Sequence, residues 1–150
     1  MMGGQDSKFR PEIYMMNTGA KVQASVGYLV PPDTVAETGG TGPPFDLAQA
    51  GASPLAGKSL LIVLRIADIV EQESLDVSVW GSEDGSDWGK QFLFAFPQRF
   101  YRGVTPAALN LSQRPEIRFL QARWEVNRWG RGYPRPYFKF AVEIQELTAQ

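Results

Sequence analysis

Two residue types that serve most enzyme and metal sites are missing, because the chain contains no cysteine and no histidine. Without cysteine there is no disulfide framework, no thiolate nucleophile and no thiolate ligand for zinc or an iron–sulfur cluster. Without histidine the usual general base near neutral pH and the commonest transition-metal ligand are absent too. Serine–histidine–aspartate and cysteine–histidine hydrolysis are excluded, which leaves chemistry carried by carboxylates, lysine or tyrosine. The sequence therefore predicts a protein that is not an enzyme and uses no cofactor or metal.

Long apolar runs are also scarce. The longest purely aliphatic run is Leu60 to Leu64, which is far too short to span a bilayer. Residues 1–7 lack the apolar segment of a signal peptide. We therefore expect a soluble protein, made in the cytoplasm without a signal peptide and without membrane insertion. Its final location stays open.

The composition fits one β-rich domain. Hydrophobic residues make up 43% of the 150 residues, and 11 prolines and 15 glycines break them into short stretches, more breaks than a helical bundle tolerates. Apolar and polar residues alternate in several stretches, as in strands with one buried face. Strands are expected at residues 12–16, 21–30, 58–66, 75–80, 88–96, 99–102, 107–111, 117–126 and 137–147. We predict that residues 1–150 form a single all-β domain, an antiparallel, jelly-roll-like β-sandwich of about eight strands with almost no helix.

Two stretches stand apart from these strands. Residues 1–11 form a polar lead closed by Pro11 and are expected to be an N-terminal arm. Pro31-Pro32 is expected to end the second strand, and residues 31–57 contain five prolines and five glycines. Such long loops are uncommon in compact domains, so we expect an extended loop or arm that is either mobile or ordered by a neighbouring subunit. The neighbouring subunit would belong to a homo-oligomer or to a larger particle. Within the segment, residues 45–50 could form a short helical turn.

The formal net charge of −1 hides an asymmetry along the chain. Residues 1–89 carry −7 and residues 90–140 carry +8, with eight arginines among the ten basic residues of the second stretch. Arginine makes bidentate and stacking contacts, so this enrichment suits an interface with another subunit. The alternative is that acidic and basic strands pair within the same molecule.

Acidic residues cluster in the turn Ser82 to Asp87 and recur along the predicted strands. Aspartate side chains in turns fold back onto backbone amides, so we expect the turn to be structural and not a calcium loop. Paired carboxylates for glycoside hydrolysis would have to come from separate strands. Asp76, Glu125 and Glu143 lie on predicted strands, opposite the core residues, and their spacing favours no pair.

The segment 127–136 is the best candidate for a binding site. Three arginines alternate there with a tryptophan and a tyrosine, and two glycines and two prolines shape the loop. Arginine and aromatic residues are enriched at binding hot spots, and they also stack on nucleobases and sugars. The candidate binding residues are Arg128, Trp129, Arg131, Tyr133 and Arg135. The alternative is a loop whose aromatic rings cover the end of the sandwich while its arginines are solvated.

Four features between Leu60 and Leu147 occur in the same order in a known group of proteins: an aliphatic strand (Leu61 to Ile66), a Leu-Asp-Val strand (Leu75 to Val79), an Asp-Gly hairpin followed by Trp (Ser82 to Trp88) and a final aromatic strand (Tyr137 to Ile144). This pattern resembles the small β-sandwich proteins of phage tails and virions. The resemblance implies a non-catalytic structural or interaction protein, such as a subunit or accessory of an oligomeric particle. The alternative is a carbohydrate- or nucleic-acid-binding module that uses the loop 127–136, with a polysaccharide or nucleic acid as partner.

Overall fold

The computed structural model describes residues 14–15, 20–49, 54–70, 73–128 and 137–149. Within these ranges the chain forms ten strands and no helix, which confirms the predicted all-β class. The strands are β1 (Tyr14–Met15), β2 (Ala20–Ala36), β3 (Gly40–Thr41), β4 (Phe45–Asp46), β5 (Ser59–Ile69), β6 (Glu73–Ser82), β7 (Phe94–Ala95), β8 (Gly103–Asn110), β9 (Phe119–Arg128) and β10 (Phe138–Ala149). Accordingly, none of the described residues belongs to a helix long and apolar enough to cross a membrane.

The strands form two antiparallel sheets, as expected for a β-sandwich. The first sheet has the order β1-β2-β10-β5-β8. The second has the order β3-β9-β6-β7, with β4 also paired to β9. The last strand, β10, therefore lies inside the first sheet, between β2 and β5.

The core lies between the two sheets and follows the predicted alternation. Leu75, Val77 and Val79 of β6 are at most 1% exposed. The first sheet faces them with four equally buried side chains of β10, which are Phe138, Phe140, Val142 and Ile144. Strand β5 is buried on both faces, since Leu61 and Val63 form a second small cluster with Leu147 on the far side of the sheet. Burial on both faces agrees with the uninterrupted aliphatic run from Leu60 to Leu64.

The prediction that Pro31-Pro32 ends the second strand is wrong, because β2 continues to Ala36. Val30 pairs with Val142 and Thr34 pairs with Phe140, so residues 31–33 stand opposite the single residue Ala141. Prolines are tolerated at such a bulge because the ladder is already interrupted there. Asp33 completes the bulge with a φ of 65°, and the Thr34 hydroxyl donates to the Pro31 carbonyl over 2.7 Å.

The described part of the Pro/Gly-rich segment 31–57 packs on its own domain. Strands β3 and β4 both pair with β9, and a turn replaces the helical turn suggested for residues 45–50. Leu47 and Leu55 are fully buried in the core. The described residues of this segment therefore contribute to the core of the domain, because two well-placed leucines are enough.

The strand predicted for residues 88–96 is much shorter than expected. After β6 the chain runs outside the sheet until Phe94, with Gly85 and Gly89 at φ of 82° and 70°. These left-handed conformations suit glycine and turn the chain away from the ladder. Of the predicted strand 99–102, only Arg99 makes a bridge, to Leu75.

Part of the charge asymmetry along the chain is neutralised by ion pairs within the molecule. Among the described residues, three ion pairs join acidic residues of the first half to basic residues of the stretch 90–140: Asp46–Arg118 at 3.0 Å, Asp68–Arg102 at 3.1 Å and Asp33–Lys139 at 4.0 Å. Arg118 binds Asp46 through two nitrogens, and this contact holds the pKa of Asp46 below its ordinary value. The interpretation of the basic stretch as a subunit interface therefore loses part of its support.

Candidate binding groove

Only the first of the five candidate loop residues lies in the described part of the chain. Arg128 is the last residue of β9, where it stands opposite Glu73. The other four, Trp129, Arg131, Tyr133 and Arg135, lie outside the described residues. Their role in binding stays a prediction.

A buried carboxylate that no sequence pattern indicates lies opposite Arg128. Glu73 is 1% exposed, and its Oε1 accepts the backbone N–H of Tyr137 over 2.5 Å. Burial raises the pKa of Glu73, although the N–H of Tyr137 and the charge of Arg128 act in the opposite direction. Glu73 thus binds the backbone of Tyr137, the residue that follows the loop 127–136. The alternation of apolar and polar residues does not indicate Glu73, because its contacts depend on how β6 pairs with β9.

A groove of about 620 Å³ crosses the outer face of the second sheet. Gly40 and Thr41 of β3 bound one side, and Trp80 of β6 and Phe92 bound the other. The floor comes from neighbouring strands, with Asp76 and Ser78 from β6 and Arg123 and Glu125 from β9. Alternation places these side chains together, since residues two apart on a strand share a face. The inward residues between them build the core, so the sandwich fixes the floor of the groove.

The aromatic wall of the groove consists of Trp80 and Phe92. Their rings meet edge to face, with centroids 6.3 Å apart and planes at 81°. The Phe92 side chain is unusually open for a large apolar residue, with 50% of its surface exposed. The wall therefore offers a ligand an apolar surface beside polar groups.

Arg123 is held in a fixed position on this wall. Its guanidinium carbon lies 4.1 Å from the centroid of the Trp80 ring, within the range of a cation–π contact. Its Nε donates to Oε1 of Gln121 over 3.1 Å, and Gln121 in turn donates to the carbonyl of Gly42 over 3.1 Å. On the other side, Trp80 Nε1 donates to the Ser78 hydroxyl over 2.9 Å. These contacts order the polar part of the groove before any ligand binds.

Two carboxylates lie side by side in the floor. Asp76 and Glu125 are direct cross-strand partners, an arrangement that costs stability because like charges repel. Two side-chain amides orient Asp76, since its Oδ2 accepts Gln98 Nε2 over 3.0 Å and Asn127 Nδ2 over 3.3 Å. Glu125 is exposed. The spacing of residues within either strand does not indicate this pair, because the pair depends on the register between β6 and β9.

No protein-family model, no curated protein and no solved structure matches this chain. The function of the groove is therefore inferred from its own side chains. The groove joins two carboxylates, a fixed guanidinium and an aromatic wall, which suits binding. A general acid for glycoside hydrolysis needs a carboxyl group in an apolar, buried setting. Glu125 is exposed and Asp76 accepts two amide hydrogen bonds, so neither has that setting.

The acidic turn next to the groove has the structural role that was predicted for it. Oδ1 of Asp84 accepts the N–H groups of Ser86 and Asp87 over 2.8 and 2.9 Å, and the Ser82 hydroxyl accepts that of Gly85 over 2.9 Å. Three hydrogen bonds to the Asp84 carboxylate hold its pKa below its ordinary value. In order of effect, the donors are the backbone N–H of Asp87, the backbone N–H of Ser86 and the hydroxyl of Ser82. Across the part of the chain that is described, acidic side chains form no cluster of the kind that holds a metal ion.

Proposed function

We propose that this protein is a non-catalytic interaction protein that binds its partner through the groove of the second sheet. The observation that carries the proposal is the ordered stack of Arg123 on Trp80 beside the half-exposed ring of Phe92. Tryptophan and arginine are the residues most often found at binding hot spots. A side chain that is already ordered loses little entropy on binding, so the fixed guanidinium favours recognition.

The proposed setting is a subunit or accessory of an oligomeric particle such as a virion or tail. The resemblance of residues 60–147 to phage tail and virion sandwiches supports this setting. The groove gives such a subunit a surface that is separate from the core and from the first sheet. The loop 127–136 begins at the end of the groove, because Asn127 bonds to Asp76 in its floor.

The test compares the wild-type protein with Phe92→Ala and Arg123→Gln. Both changes remove groove contacts and leave the inward residues of β6 and β9 in place. Tyr101→Ala is the matched control, since this aromatic side chain is 73% exposed and lies outside the groove lining. Binding is measured against three immobilised partners: a second copy of the chain, neutral oligosaccharides and single-stranded oligonucleotides.

We expect wild-type protein and Tyr101→Ala to bind one of the three partners equally. Each groove variant should weaken that binding about tenfold, which corresponds to about 1.4 kcal/mol. The proposal fails if the groove variants bind every partner as tightly as the wild type, or if the wild type binds none. Release of reducing sugar from any oligosaccharide, lost in Glu125→Gln, would contradict the non-catalytic part of the proposal.

A further inference from the structure

The charges of the groove discriminate between classes of partner. Its lining carries the negative charges of Asp76 and Glu125 and the single positive charge of Arg123, a formal net charge of −1. Binding of nucleic acid depends on several cationic side chains that replace the counterions of the phosphates. A groove with two carboxylates in its floor opposes a polyanion, so its charges disfavour nucleic acids and acidic polysaccharides.

The shape of the groove favours an elongated ligand of modest size. Its volume of about 620 Å³ lies in the usual range of small-molecule sites. From β3 to β7 it crosses four adjacent strands, which lie about 4.8 Å apart, so it is about 14 Å long. An extended chain of a few linked rings fits these dimensions better than the flat surface of a folded protein.

We infer that the groove binds a neutral oligosaccharide, an inference that rests on the groove being the binding surface proposed above. A sugar ring has an apolar face of C–H groups and a rim of hydroxyl groups. Phe92 and Trp80 provide the apolar surface for that face. The carboxylates of Asp76 and Glu125 accept hydrogen bonds from hydroxyl groups, and charged acceptors form stronger bonds than neutral ones.

Binding of a neutral sugar would explain why two carboxylates, Asp76 and Glu125, stand opposite one another in the floor of the groove. Asp76 and Glu125 repel one another in the free protein, and hydroxyl donors placed between them would offset that repulsion. Relief of the repulsion by Glu125→Gln should therefore raise the melting temperature by about 1 to 3 °C. The same change should weaken the binding of a sugar. A residue with a merely structural role would not separate stability from affinity in this way.

The experiment measures binding by isothermal titration calorimetry with six neutral hexasaccharides: cellohexaose, maltohexaose, laminarihexaose, xylohexaose, mannohexaose and chitohexaose. Hexagalacturonate and a ten-residue oligothymidylate are the acidic comparisons. The variants are Phe92→Ala, Glu125→Gln and Asp76→Asn. Tyr101→Ala and Glu83→Gln are their controls, one an exposed aromatic and the other an exposed carboxylate outside the floor of the groove.

We expect at least one neutral hexasaccharide to bind, and the acidic ligands to bind at least tenfold more weakly. Phe92→Ala should weaken the binding three- to tenfold, and the two carboxylate variants about tenfold or more. Absence of binding to all six neutral sugars, or binding that none of the groove variants changes, overturns the inference. If the groove variants nevertheless weaken binding to a second copy of the chain or to oligonucleotides, the proposed function survives and only the class of partner is wrong.

Discussion

Replacement of Leu47 by alanine tests whether the Pro/Gly-rich segment is part of the folded domain. Leu47 is fully buried, its N–H donates to the carbonyl of Arg118 over 2.7 Å, and its own carbonyl accepts the N–H of Leu55 over 2.9 Å. Leu→Ala removes three carbon atoms from the core, at about 0.8 kcal/mol each. The cavity left behind adds to this, so we expect a loss of about 3 kcal/mol in the free energy of unfolding.

The assay is urea unfolding followed by tryptophan fluorescence, together with thermal unfolding. For a domain of this size, a loss of about 3 kcal/mol lowers the melting temperature by about 6 to 12 °C. The matched control is Val35→Ala, because Val35 is 48% exposed and its truncation should change stability by no more than about 0.5 kcal/mol. If Leu47→Ala unfolds at the same urea concentration and temperature as the control, the segment is an arm that does not contribute to the core, and the argument from burial is wrong.

Two further predictions concern Glu73 and Gly42. Because burial raises the pKa of Glu73, the folded state binds a proton there more readily than the unfolded state. The free energy of unfolding that this site contributes therefore falls as the pH rises from the ordinary carboxyl pKa through the raised pKa of the folded state. In urea titrations between pH 4 and pH 8, the free energy of unfolding should decline less with rising pH for Glu73→Gln than for the wild type. An identical pH dependence of the two proteins would refute the assignment. A Cβ added at Gly42 would lie 2.5 Å from the backbone oxygen of Leu29, so Gly42→Ala should cost about 1 to 3 kcal/mol in thermal or urea unfolding. Thr41→Ala, at an exposed neighbouring position, should cost much less, and equal losses would show that the close approach is not what matters.

The fold class could be predicted from the sequence because burial on one face leaves a period of two. Strands β6, β9 and β10 all carry this signal, and Leu75, Val77 and Val79 point inward as expected. The signal was weaker wherever backbone geometry decided the outcome. Pro31-Pro32 looks like the end of a strand, yet a bulge opposite Ala141 accommodates it. Pattern arguments cannot see such a bulge, since it depends on the pairing partner.

The candidate site could be predicted less well than the fold. The sequence pointed to the loop 127–136, of which the structure describes only Asn127 and Arg128. The groove depends on the register of β6 against β9, which brings Asp76 opposite Glu125 and lets Arg123 reach Trp80. Each strand taken alone shows polar residues at outward positions, as any solvated strand does. The one visible hint is Trp80, a large aromatic residue on the polar face of a clearly alternating strand.

The position of β10 inside the first sheet affects how the protein can fold during synthesis. Strands β2 and β5 pair with β10 and not with each other, so neither gains its inner neighbour until residues 138–149 have left the ribosome. Until then the apolar strand β5 has only β8 beside it. Pairings between residues so distant in sequence form slowly, and the exposed strands are prone to aggregate meanwhile. Nascent chains stalled before residue 138 should therefore be sensitive to protease and bound by chaperones, and protection should arise only when β10 emerges.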